Sequence, residues 1–517
     1  MHFNESSTWI GLLVTTLPGL VGIYLYIGRD QKKAGWILLL ISAFLLRLLM
    51  VSLDPFLHEW DERFHALVAK NMMADPFKPM LFTHHIMSYD FRDWSYNHVW
   101  LNKQPLFLWQ MALSMKIFGT NEIALRLPSL IMSTIFVWLV FDIGRKWLKD
   151  DKVAFTAAVF ATYQCYILEL ITGRNSLDHN DIAFLFYITC SVWAFFKYLE
   201  RRHSWTWLIV VGVFVGLAIL NKWLAGMLIY GAWGLYILLD KDSRTKLKSY
   251  VHLTGSFIIA CIIFLPWQFY IHHRFPDESG YVQKFNSTHF VDAMGHPGDH
   301  WYHILFFPNI YDFGILIFFV AGLFYLLKSR TIDKNISMSM LAMIAVIYLF
   351  FSIPVQTKMP SYVLPVAGII LIIAAYGLQG IASWISTNKN SIFQKRISII
   401  LMIITLILLL KPWNIANERS VRNEKRNHKI HNASIFKNLD TENLEGKVVL
   451  NTRSFENIEL MFYQDVTSYH FYPDSMVMDS LQRHGHQFAV FDYTDIQKIP
   501  DHIRKDTSIF ILEEKLK

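Results

Sequence analysis

The chain has 517 residues, of which 53% are hydrophobic, 15% aromatic and only 17% charged, and its mean hydropathy is +0.30. That balance places it among polytopic membrane proteins rather than soluble ones. The formal net charge of +7 lies mostly in short loops between apolar runs, so it reports topology and not nucleic-acid binding.

The first apolar run, 9–27, carries Pro18 and is followed by Arg29, Lys32 and Lys33. The second, 34–53, is about 30 Å long as a helix at roughly 1.5 Å per residue, which matches a bilayer core. The positive-inside rule assigns the basic loop between them to the cytoplasm. The chain therefore leaves the second span on the opposite side, at His58-Glu59-Trp60-Asp61-Glu62-Arg63-Phe64-His65. Two adjacent carboxylates, two histidines and an arginine at that point are candidate bases, metal ligands or phosphate-site partners.

Further basic clusters stand at Arg145/Lys146/Lys149/Lys152, Lys197/Arg201/Arg202, Lys241/Arg244/Lys246/Lys248, Lys328/Arg330/Lys334 and Lys389/Lys395/Arg396. All fall on one side if the remaining spans are 127–144, 153–171, 181–199, 206–221, 223–240, 252–270, 309–327, 337–355, 363–384 and 397–412. The expected architecture is an α-helical bundle of about 12 to 13 spans. On this assignment the apolar segment 105–119 does not cross; at about 22 Å it is short for a span and reads as an interfacial or re-entrant helix. Residues 54–126 become one long extracytoplasmic loop, with a helix expected at 64–73.

The outer segments carry charges that topology does not explain. Lys103 stands before the interfacial helix, Arg174 lies near Asp178 and Asp181, and Lys222 sits between two apolar runs. An unpaired lysine at bilayer depth costs about 2.5–3.5 kcal/mol, and a phosphate partner would offset that. The loop 271–308 holds His272, His273, His289, His296, His300 and His303. With Asp61 or Glu62 these are candidate ligands for a divalent ion, zinc or magnesium. Lys358 and Tyr362 lie in the outer segment 356–362. Cys165, Cys190 and Cys261 sit in apolar runs and imply neither a metal cluster nor a disulfide framework.

After 412 the composition turns polar. Residues 413–517 contain no span, and 446–451, 487–492 and 508–512 read as short buried strands with a helix at 474–483 between them. The chain thus divides into a transmembrane part, 1–412, and a small soluble α/β domain, 413–517, which the parity of spans places outside.

Several of these stretches, in order, carry a resemblance. They are Asp61-Glu62-Arg63-Phe64-His65-Ala66, Lys103-Gln104-Pro105-Leu106, Gly119 through Arg126-Leu127-Pro128-Ser129, the Arg174/Asp178 region, Gly216 through Asn221-Lys222, and Lys358-Met359-Pro360-Ser361-Tyr362-Val363-Leu364-Pro365. Together the chain resembles the GT-C glycosyltransferases that use polyprenyl-phosphate sugars, which include bacterial aminoarabinose transferases of lipid A and protein O-mannosyltransferases. The resemblance implies a GT-C-type bundle with its active site on the outer face of the bacterial cytoplasmic membrane. It implies an inverting transfer from a polyprenyl-phosphate sugar to a lipid, glycan or protein acceptor. Asp61 would be the principal catalytic carboxylate, with Glu62 beside it and Asp178 as the second acid. Lys103, Arg174, Lys222, Lys358 and Tyr362 would bind donor, and His289 would line the donor site or, with Glu62, hold a metal. The chain departs from the family pattern at Asn102, where aminoarabinose transferases carry a metal-binding glutamate, and at His65 and Gln104.

The alternative class is a transporter or flippase of lipid-linked sugars. It predicts polar residues near mid-span and broken helices in two matching halves, whereas here the polar residues cluster at one face.

Overall fold

The computed structural model describes residues 3–174, 179–201, 204–386, 391–440, 444–453, 455–492 and 499–517. Among the described residues, ten helical stretches are long and apolar enough to cross a membrane, and the chain is a multi-pass membrane protein. The helices that concern the site are α1 (Glu5–Ile23), α2 (Lys32–Ser52), α3 (Asp61–Met72), α4 (Leu106–Phe118), α5 (Glu122–Leu148), α6 (Asp151–Tyr163), α7 (Cys165–Leu170), α8 (His179–Glu200), α9 (Trp205–Lys222) and α10 (Leu228–Leu239). They are followed by α11 (Leu247–Arg274), α12 (Pro276–Thr288), α13 (Phe307–Lys328), α14 (Lys334–Ser352), α15 (Ala367–Ile385) and α16 (Ser391–Leu410).

These ten stretches differ from the expected runs at two places. The runs 206–221 and 223–240 form one apolar stretch, Trp205–Leu239, broken where α9 stops at Lys222 and Trp223 takes φ 62. The run 153–171 is divided into α6 and α7 at Gln164, whose ψ of 107 is extended. That break frees carbonyls inside the bundle. Arg47, fully buried on α2, satisfies two of them, donating to the Ala161 and Thr162 carbonyls at 3.0 and 3.3 Å. The charge inside the second apolar run is thereby a repair of the helix break.

The segment 105–119 forms α4 alone, 13 residues long, with Leu113, Ile117 and Phe118 exposed. It is too short to cross. Elsewhere in the bundle α13 and α15 approach backbone to backbone, where a Cβ on Gly322 or on Gly377 would lie 1.9 Å from the Ile373 or Phe318 carbonyl. Only glycine permits that contact.

The C-terminal region adds α17 (Glu424–Asn438), α18 (Glu456–Tyr463) and α19 (Ser475–Arg483) to four strands, β1 (Lys447–Leu450), β2 (Thr467–Ser468), β3 (Gln487–Phe491) and β4 (Phe510–Leu512). The sheet is parallel in the order β2-β1-β3-β4. β1 and β3 are buried along nearly their whole length, as central strands of a parallel sheet are.

This domain packs on the long loop 54–126. Arg63 on α3 and Glu459 on α18, both buried, pair at 2.7 Å. A second oxygen of Glu459 accepts the Leu57 backbone N–H at 3.0 Å. Asp54, just past α2, receives Arg426 at 2.9 Å and also pairs with Arg419. Burial alone would raise the Asp54 carboxyl, but Arg419, His58 and Arg426 hold it well below the ordinary carboxylate range. Phe455, at φ 62 before α18, packs against Trp60 and edge-on to Phe64, with Trp94 closing the cluster. The start of α3 is thus clamped between the membrane bundle and the C-terminal domain.

Candidate active site

Asp61 is the first residue of α3, and Trp60 before it holds φ 63, ψ −122. A non-glycine residue there is strained by roughly 1–3 kcal/mol, and the aromatic clamp on its ring sustains it. The same pattern recurs at Lys222, the last residue of α9, which precedes Trp223 at φ 62. Buried Asn221 fixes that end, donating to the Asn180 carbonyl and side-chain oxygen at 2.8 and 2.7 Å. This sets Lys222 against Asp181 on α8, with which it forms an ion pair.

These two special points meet. Lys103 Nζ lies 3.8 Å from Asp61 Oδ1, and both side chains are partly exposed. Lys222 Nζ sits 5.4 Å from the Tyr362 ring centroid, in cation–π range. The Tyr362 hydroxyl lies within electrostatic reach of Lys222, Lys103, Asp181 and Asp61 together. His289 completes the group. Burial first, then the charges of Lys103, His296 and Lys222, lower its imidazole below the ordinary range, and Nδ1 shares a 2.8 Å hydrogen bond with Thr357 Oγ1. The Gln356 N–H donates to the His289 carbonyl at 2.9 Å, and that of Lys358 to the His296 carbonyl at 2.9 Å. The loop 271–308 is thereby stitched to the segment carrying Tyr362.

Known proteins share the fold and parts of the sequence. Residues 102–270 match the dolichyl-phosphate-mannose-protein mannosyltransferase family. An uncharacterised protein of Aquifex aeolicus is 26% identical over 61% of this chain and 58% of its own length. An undecaprenyl phosphate-alpha-4-amino-4-deoxy-L-arabinose arabinosyl transferase of Pseudomonas fluorescens is 21% identical over 54% of this chain and 48% of its own. The chain spans about half the length of the curated relatives it matches. The crystal structure of ArnT from Cupriavidus metallidurans bound to undecaprenyl phosphate superposes with a TM-score of 0.61 at 15% identity, over 87% of this chain and 88% of that one. The fold is that of the GT-C glycosyltransferases.

Within this GT-C fold the expected site residues part company. Asp61, Lys103, Lys222, Tyr362 and His289 come together, with Asp181 as the acid that faces Lys222. Asp178 lies outside the described residues. Glu62 points the other way. It is buried, paired with Arg126 at 2.7 Å, touching His179 Nε2 at 3.1 Å and accepting the His58 backbone N–H at 2.6 Å. Gly173, at φ 69, packs so closely that a Cβ there would lie 2.6 Å from the Glu62 carboxyl carbon. Burial opposes the charge, yet Arg126 and His179 hold the Glu62 carboxyl well below its ordinary range. Its oxygens are occupied, so Glu62 anchors α3 rather than meeting substrate.

Two expected donor ligands serve the scaffold. Lys358 is 3% exposed and donates to the Phe351, Ser352 and Val355 carbonyls. It caps the end of α14, where carbonyls lack helical partners. Arg174 pairs with Glu169 at 2.9 Å and Glu418 at 2.6 Å. Lys358→Met should therefore destabilise by roughly 1–3 kcal/mol, read as a lower unfolding midpoint with undecaprenyl-phosphate affinity kept. Lys222→Met should instead lose undecaprenyl-phosphate affinity, and equal affinities for the two variants would remove the distinction.

The metal pair does not assemble either. Glu62 is saturated by Arg126 and His179, and no group of three His, Cys, Asp or Glu among the described residues is placed to hold an ion. Glu62 and His289 therefore do not form a metal pair.

Sequence reading missed the roles of Arg126 and His179. Arg126 donates not only to Glu62 but to the Val51, Asp54 and Phe56 carbonyls at the end of α2. A polar residue at the edge of an apolar run was the available signal.

Proposed function

We propose that the chain is an inverting glycosyltransferase of the bacterial cytoplasmic membrane, moving a sugar from a polyprenyl-phosphate carrier to a hydroxyl on a lipid, glycan or protein acceptor at the outer face. The observation that carries this reading is the convergence of Asp61 with Lys103, Lys222, Tyr362 and His289 at one end of the bundle. An acid next to cations is what such a transfer requires. The acceptor oxygen forms a bond to the anomeric carbon as the bond from that carbon to the phosphate oxygen breaks, and the acceptor proton passes to Asp61. Lys103 and Lys222 stabilise the negative charge gathering on the departing phosphate. Phosphate leaves readily as an anion, so no protein acid is needed on that side.

The C-terminal domain enters as a brace for α3, through Arg63–Glu459 and the Trp60–Phe455 contact. Loosening it should misplace Asp61. Glu459→Ala is expected to lower kcat by about tenfold or more while donor affinity holds; unchanged kcat in folded protein would remove the brace.

The experiment for the whole reading is transfer of radiolabel from undecaprenyl-phosphate sugars to membrane extract by purified protein. Transfer supports it. Movement of labelled lipid across liposomes without transfer would instead establish the flippase.

A further inference from the structure

The loop between α12 and α13 carries a surface that the reaction above does not use. Phe290 and Val291 at its start, and Trp301, Ile304 and Leu305 at its end, are all exposed, Val291 by 80%, Trp301 by 64% and Leu305 by 70%. So many large apolar side chains in one short loop are costly to leave in water. The stretch between them is different. Asp292, His296, Asp299 and His300 stand there, among Gly295, Pro297 and Gly298. The loop thus has apolar ends and a polar middle.

Its depth is fixed by α14, one of the helices long and apolar enough to cross the membrane. Phe290 meets Phe350 edge to face, with ring centroids 6.0 Å apart. His300 Nδ1 donates to the Ser352 carbonyl at 3.1 Å, and His303 Nδ1 shares a 3.2 Å hydrogen bond with Ser352 Oγ. Both ends of the loop are therefore tied to the last turn of α14. That helix turns Val346, Leu349 and Phe350 outward. Its neighbour α13, kinked at Asp312 with φ 69, turns Phe313, Ile317 and Val320 outward. Spacings of three and four make each set a single apolar stripe facing the lipid. The exposed ends of the loop continue this belt, Phe290 beside Phe350 and Leu305 two residues before α13. Tryptophan at such an edge is the residue that a membrane interface favours.

We propose that Phe290, Val291, Trp301, Ile304 and Leu305 are seated among the phospholipid chains of the leaflet on the site side, and that this seating holds His289 and Tyr362 at the depth where a lipid carrier presents its phosphate. The seating rests on membrane topology alone, and the depth setting on the glycosyltransferase reading as well. Lipid is the occupant that fits, because the belt these side chains continue is covered by lipid and a fluid chain needs no matched shape. The polar middle stays in water above them. His289 belongs to the same loop, and the backbone hydrogen bonds from Gln356 and Lys358 carry its position to the segment that bears Tyr362.

The test uses full-length protein in nanodiscs of phosphatidylethanolamine and phosphatidylglycerol. Cys165, Cys190 and Cys261 are changed to alanine, and a nitroxide is placed through Val291→Cys, Leu305→Cys or His296→Cys. Labels at 291 and 305 should collide with oxygen, which concentrates in lipid, more than with a water-soluble nickel chelate. The label at 296 should show the opposite order. Nickel contact at 291 and 305 as frequent as at 296 overturns the seating. Shielding of both labels from both reagents overturns it too, because a protein partner, such as a second copy of the chain, would then cover the loop. Since both side chains are exposed, Val291→Glu/Leu305→Glu should fold as wild type does. It should bind undecaprenyl phosphate about fivefold or more weakly, because only the seated fraction of molecules is competent. Unchanged affinity overturns the depth setting and leaves the seating in place. Failure of wild type to bind undecaprenyl phosphate overturns the transferase reading and the depth setting with it, while the labels still decide the seating.

Discussion

Asp61→Asn is expected to yield a folded protein that binds undecaprenyl phosphate as wild type does and transfers sugar about 10²- to 10⁴-fold more slowly, the range a positioned general base contributes. The substitution keeps shape and removes charge. Asp61 is only partly buried and makes its 3.8 Å contact with Lys103 across an open site, so its loss leaves no buried charge stranded. The helix start should survive, because losing one first-turn carboxylate costs only about 0.3–1 kcal/mol. Single-turnover rates with a saturating glycosylated lipid would read the chemical step apart from binding. A variant that transfers at the wild-type rate would remove Asp61 from the chemistry. One that loses donor affinity along with rate would make it a positioning residue for Lys103.

Much of this arrangement was legible in the residues because membranes impose simple rules. Span lengths and basic loops located most of the helices, and the cations at 103 and 222 stood out because topology gave them no reason to be there. Three of the four C-terminal strands were equally plain in their runs of Val, Ile and Phe, whereas the Thr-Ser of β2 carries no such run. What stayed hidden were roles that depend on three-dimensional partners. Asp61 and Glu62 are neighbours of the same chemical type, yet successive residues at a helix start point in different directions, and only the fold shows that one meets Lys103 and the other Arg126. Lys358 and Lys222 are likewise both lone cations at the edges of apolar runs. The first ends among the carbonyls of its own helix terminus and the second opposite Asp181. Helix breaks without glycine or proline, as at Gln164 and Asp312, left no mark beyond a polar letter in an apolar run.

The anchoring role of Glu62 makes the second large expectation a loss of stability. Glu62→Gln strands Arg126, which is 0% exposed, and removal of one partner from a buried ion pair typically costs about 3–5 kcal/mol. The unfolding midpoint should fall by many degrees, or the protein should fail to accumulate. Because a missing protein would be uninformative, the double variant Glu62→Gln/Arg126→Met is the sharper measurement. It removes both charges, so it should be more stable than Glu62→Gln alone, with the shortfall from wild type reporting the three carbonyls that Arg126 no longer caps. Acid should reproduce the effect. The Glu62 and Asp54 carboxyls are both held well below their ordinary values by the arginines around them, so the unfolded chain binds protons more readily than the folded one. Their stabilisation is complete above the unfolded values of about 4 and is lost as the pH falls below them. Glu62→Gln should flatten that decline, Asp54 supplying what remains. A Glu62→Gln protein with the wild-type midpoint and no transfer would reverse the assignment, since it would mean that the buried carboxylate acts on substrate and not on the helix that carries Asp61.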